Sequence, residues 1–70
     1  VKQTSASPSN IASVGFDMQN HHLEVKFENG GTYQYSNVPT MTYHSLMASR
    51  SIGRYFDKHI KDVYPYRKVG

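Results

Sequence analysis

The sequence predicts a small α+β domain, a three-stranded antiparallel β-meander followed by two helices packed on one face. Three observations predict it. Leu23, Val25 and Phe27 alternate with Glu24, Lys26 and Glu28, the period of a half-buried strand. Asn29-Gly30-Gly31 sits between two such runs and reads as a hairpin turn. After Pro39 the apolar spacing lengthens to that of a helix, first through Tyr43, Leu46 and Met47, then through Ile52, Phe56, Ile60 and Val63.

In chain order, residues 11–17 form the first strand, with Ala12, Val14 and Phe16 expected on the buried face. Residues 23–28 form the second, and their alternation marks a sheet with one wet face. Setting Phe16 opposite Leu23 leaves residues 18–21 as a four-residue loop. Residues 32–36 form the third strand, and the turn before it decides where Tyr33 and Tyr35 point. A two-residue loop, Asn29-Gly30, sets Phe27 opposite Thr32 and sends both tyrosines outward. A three-residue loop sets Phe27 opposite Tyr33 and Val25 opposite Tyr35, and sends both inward. Gly31 suits the left-handed last position of the longer loop, which favours the inward reading.

Val38-Pro39 ends the sheet, and proline suits a first helical turn. The first helix is expected to run to about residue 49. Ser51 is the expected N-cap of a second helix reaching about residue 63, and Pro65 stops it. Residues 66–69 read as a short extended tail along a sheet edge.

A chain of 70 residues holds one domain with a thin core. Without cysteine it has neither disulfides nor thiolate metal ligands. It contains no apolar run near the ~20 residues of a membrane helix. Residues 1–9 are polar and read as a flexible arm before a single domain at 10–70, with a cytoplasmic location expected. The net charge of +3 is unevenly spread. Lys2 and Lys26 are outnumbered by Asp17, Glu24 and Glu28. From residue 50 onward, Arg50, Arg54, Lys58, Lys61, Arg67 and Lys68 face only Asp57 and Asp62. A positive field concentrated in the last third favours anionic partners.

Residues 10–17, NIASVGFD, resemble the opening of the KTSC domain family. The resemblance continues through LEVKF at 23–27, Asn29-Gly30-Gly31, Tyr33-Gln34-Tyr35 and Val38-Pro39. It ends with Gly53-Arg54-Tyr55-Phe56, Ile60 and Tyr64, and so covers about residues 9–69. The family is named from a domain at the C-terminus of some lysyl-tRNA synthetases and also occurs as a small stand-alone bacterial or phage protein. The resemblance implies neither catalysis nor a cofactor, and the family's place beside a tRNA enzyme directs attention to RNA.

The residues agree with a non-enzymatic reading. No phosphate-cradling glycine loop, metalloprotease helix or nucleophile elbow is present. His44 and Ser45 are neighbours on a helix and point about 100° apart, so they make no dyad. His21, His22, His44 and His59 are spread over a turn and two helices, and no metal site is expected. The nucleic-acid-binding candidates are Arg50, Arg54, Lys58 and Lys61, read as a row opposite the apolar stripe of the second helix, together with Tyr66, Arg67 and Lys68 of the tail. The competing reading is a solvated helix face in which Asp57–Lys61 and Lys58–Asp62 pair along the helix, with Tyr66 packed on the sheet edge. Two partner classes follow: RNA or another polyanion on the basic surface, or a protein docking through the sheet edge or the helix pair. No membrane partner is expected.

Overall fold

The computed structural model describes residues 10–70. Its elements are β1 (Ile11–Asp17), β2 (His22–Phe27), β3 (Thr32–Tyr35), α1 (Thr40–Ala48), α2 (Ile52–His59) and β4 (Tyr66–Lys68). The sheet is antiparallel with strand order β1-β2-β3-β4. The expected meander is therefore present, and the tail completes it as a fourth strand.

The β1–β2 hairpin has the expected register, with Phe16 opposite Leu23. Its loop is held by Asp17, whose carboxylate accepts from the backbone N–H groups of Gln19 and Asn20 and from the Asn20 amide. Those bonds, the side-chain bond from Asn20 first, hold the Asp17 carboxyl below its ordinary pKa. His21 closes the loop in the left-handed region at φ 57°. At the other end of β1 the pairing slips: Ile11 faces Phe27 while Ser13 faces Lys26. The extra residue at this bulge reverses the alternation. Ile11 packs on the core in place of Ala12, which is exposed, contrary to the strict period-two reading.

The β2–β3 turn is a three-residue loop, but it lies one residue earlier than expected. The Gly30 N–H donates to the Phe27 carbonyl (3.0 Å) and the Phe27 N–H to the Gly31 carbonyl (2.8 Å). Gly30, not Gly31, takes the positive φ, 106°. Val25 therefore faces Tyr33 and Leu23 faces Tyr35, a register shifted by two from the expected one. A shift of two preserves the face of every side chain, so both tyrosines lie on the helix-covered side as the longer loop required. Gly30→Ala places a Cβ on a left-handed backbone, and is expected to destabilise the domain by about 1 kcal/mol or more. Gly15→Ala, where a Cβ meets nothing within 4 Å, is expected to be neutral or slightly stabilising, so urea midpoints of the two variants should move apart.

Both helices cover the same face of the sheet. The core consists of Leu23, Val25, Tyr35, Val38, Leu46, Phe56 and Ile60, all buried. Pro39 stands at the N-cap of α1 with extended backbone, which brings Leu46 into the core and stacks Tyr43 on Phe16 at 4.7 Å. Met47, grouped with these by its spacing, is 44% exposed. Ser51 caps α2 as expected, its hydroxyl accepting from the Arg54 N–H at 3.3 Å. That helix ends at His59, not near residue 63. Ile60 leaves helical geometry (φ −122°, ψ −46°), and the Phe56 carbonyl accepts from both the Ile60 and Lys61 N–H groups. Val63, placed in the apolar stripe by periodicity, stands in the following turn and is 61% exposed.

Candidate functional site

The early end of α2 and the return strand β4 build the main surface feature. After Ile60 the chain turns, crosses beside the sheet at Pro65, whose carbonyl accepts from the Ser36 N–H, and pairs with β3. Tyr66 then faces Tyr35, Arg67 faces Gln34 and Lys68 faces Tyr33. Strand alternation puts Tyr66 and Lys68 on the helix side of the sheet and Arg67 on the opposite side.

The helices do not reach over this edge, and an open groove of about 700 Å³ remains. Phe27, Tyr33, Tyr35, Phe56 and Tyr66 supply its aromatic surface. Lys61 and Asp62 line it from the turn after α2, and Lys68 from β4. The rings brace one another. Tyr66 lies 5.2 Å from Tyr35 and 5.7 Å from Tyr33 between centroids. Tyr35 meets Phe56 edge-to-face at 5.3 Å, and Phe27 meets Tyr33 in the same manner at 5.7 Å. Gly31 permits this approach, since a Cβ there would come within 3.2 Å of the Tyr33 ring. The floor is therefore a contiguous set of rings, while Tyr66 itself remains 57% exposed.

Burial pushes the Tyr35 hydroxyl up to about 12, and the neighbouring Tyr66, Tyr33, Asp62 and Asp57 oppose its ionisation further. The sign of the linked stability change follows. Below pH 10 this tyrosine is neutral in both folded and unfolded chains. Above that the unfolded chain releases the proton first, so stability is lost as pH rises from about 10 towards 12. Urea midpoints measured across this range should fall for the wild type, and less steeply for Tyr35→Phe.

The expected basic row is divided by the structure. Arg54 and Lys58 are exposed on α2, one helical turn apart. Arg50 lies in the link before α2, and Lys61 lies beyond its end, so neither belongs to a helical stripe. Arg67 is on the far face of the sheet. Only Lys61, Lys68 and Tyr66 of the seven candidates come together at the groove. Asp62 joins them at the groove without any signal in the sequence, because its place depends on where α2 stops and the apolar periodicity runs past it.

The remaining motif residues are structural. Phe56 and Ile60 are buried, and Tyr64 packs on the core with its hydroxyl 3.5 Å from that of Thr42. Gly53 lies in the first turn of α2. Among the described residues, no three His, Asp or Glu side chains gather as metal ligands, and no helix is long and apolar enough to cross a membrane. Residues 1–9, read as a flexible arm, lie outside the described residues.

A similar fold occurs in the crystal structure of a KTSC domain protein from Yersinia pestis. It superposes with a TM-score of 0.85 at 43% identity, covering 93% of this chain and 92% of that one. An uncharacterised protein of Stutzerimonas stutzeri is 33% identical over 61 residues, 87% of this chain and 86% of its own length. A protein of Tsukamurella paurometabola is 34% identical over 53 residues, covering 76% and 79% of the two chains. The family model of the KTSC domain matches residues 7–64, ending just before β4. With that match spanning most of its length, the chain belongs to the KTSC domain family.

Proposed function

We propose that this KTSC domain is a non-enzymatic binding module for RNA or a similar polyanion, with the groove between β4 and the end of α2 as its centre. The observation that carries this reading is the meeting of two lysines, Lys61 and Lys68, with the exposed ring of Tyr66 in one open groove. Cations neutralise phosphates and release counterions, and an exposed ring adds a stacking surface. Arg54 and Lys58 extend the positive field along α2. Arg50 and Arg67 contribute only at longer range.

The test is a titration of a fluorescent single-stranded RNA at several salt concentrations. Engagement of both groove lysines predicts a log–log slope of about −1.4 or steeper, from roughly −0.7 for each neutralised phosphate on a single strand. Absence of binding at low salt, or a flat slope, overturns the reading. In the second case, a stoichiometric protein captured after nuclease treatment would redirect attention to protein docking.

A further inference from the structure

We infer that the groove seats one unpaired nucleobase against Tyr66, with flanking phosphates held by Lys61 and Lys68; this rests on the polyanion reading and makes it specific. The evidence is the way Tyr66 is mounted. It lies on the helix side of the sheet, opposite the buried Tyr35, yet 57% of it is exposed. Tyr35 and Tyr33 support it from within the fold, Tyr35 at a shallow interplanar angle of 32°. A ring in contact with its neighbours on one side and open to solvent on the other offers a π-face for stacking on a base. The groove's volume, about 700 Å³, leaves ample room for one base beside Tyr66.

Asp62 strengthens the choice of occupant. A trough meant only for phosphates gains nothing from a carboxylate on its lining, because like charges repel. An ionised carboxylate is acceptor-only, and the exocyclic amine of a base is a donor suited to it. Asp62 beside Lys61 therefore suits a chain that places a base inward and its phosphates towards the cations. A duplex keeps its bases stacked and paired and cannot present one in this way, so the groove should discriminate by strandedness. The amine preference favours cytidine over uridine oligomers.

The experiment compares four probes at one ionic strength: single-stranded oligocytidine, oligouridine, a duplex RNA and inorganic polyphosphate. Oligocytidine should bind more tightly than the other three. Tyr66→Leu should weaken oligocytidine about tenfold while leaving polyphosphate unchanged, and Tyr66→Phe should retain the affinity. Asp62→Asn should strengthen polyphosphate binding and narrow the gap between cytidine and uridine. Because Tyr66 is largely exposed on a three-residue edge strand, circular dichroism should show its variants folded. If Tyr66→Leu weakens polyphosphate as much as oligocytidine, or if duplex and polyphosphate compete as well as the single strand, the base-seating inference is wrong while the polyanion reading stands. If no probe binds, both are wrong.

Discussion

Phe56→Ala should leave much of the protein unfolded at 25 °C without denaturant. Phe56 is 1% exposed and lies where the sheet and α2 meet. Its ring contacts Phe27 edge-to-face at 5.6 Å as well as Tyr35 at 5.3 Å. Truncating a buried phenylalanine costs about 3–5 kcal/mol, from lost transfer energy and from the cavity left behind. A domain of this length without disulfides rarely holds more than ~3–5 kcal/mol in reserve. The two magnitudes are nearly equal, so the native population drops to a minor or comparable fraction. Far-ultraviolet circular dichroism against urea would show the folded baseline missing. Phe56→Leu keeps most of the apolar volume and should retain a transition at lower urea. Val63→Ala, at a residue 61% exposed, should change stability by less than about 0.5 kcal/mol. A full folded baseline in Phe56→Ala would show that the core is not centred on this ring.

The contrast between Phe56 and Val63 marks how far the sequence could be read. Both fall on one stripe at helical spacing, and pattern alone ranks them equally. What separates them is the departure from helical geometry at Ile60, after which the chain turns and carries Val63 off the stripe into solvent. Periodicity reports which face of a helix is apolar and does not report where tertiary packing ends it. The same logic explains the first strand. Alternation assigned Ala12 inward, but one bulged residue let the larger Ile11 take that place, a trade made by packing and invisible in a two-residue period. In the central hairpin the parity was legible and the position was not. Gly31 favoured a three-residue loop over the two-residue alternative, and with it the inward face for both tyrosines. Either Gly30 or Gly31 satisfied the left-handed requirement, and choosing between them moved the register by two. Ser51 as a cap was readable because its chemistry is local.

The candidate site was legible in composition and illegible in arrangement. The excess of cations from residue 50 onward is plain, but a row through Arg50, Arg54, Lys58 and Lys61 needs the second helix to continue past Lys61 and its spacing to extend back to Arg50. Breaking that helix at Ile60 moves Lys61 off the stripe and onto the groove, where Lys68 and Tyr66 arrive from β4. The sequence places residues 66–69 along a sheet edge, but the register of that tail depends on partners more than thirty positions away, which no local signal encodes. Arg67, adjacent in sequence to both groove residues, is excluded by alternation alone.

That division of the cations leads to the second large expected effect. Lys61→Glu combined with Lys68→Glu should lower RNA affinity at 0.15 M salt by a factor of roughly a hundred, whereas Arg50→Glu combined with Arg67→Glu, an identical change in net charge, should lower it by less than about tenfold. If the domain attracted RNA by its overall field alone, the two double variants would lose equally. If the groove holds phosphates directly, the first pair loses its contacts and acquires repulsion next to Asp62. The second pair only weakens a field that 0.15 M salt already screens beyond about 8 Å. Both pairs are exposed, so neither substitution should unfold the protein. The salt slope separates the cases further. It should flatten by about 1.4 for the groove pair, two phosphate contacts at roughly 0.7 each, and hardly change for the distant pair. Equal losses and equal slopes would mean that the groove is a seam left by a short fold and that the charge after residue 50 acts without a site.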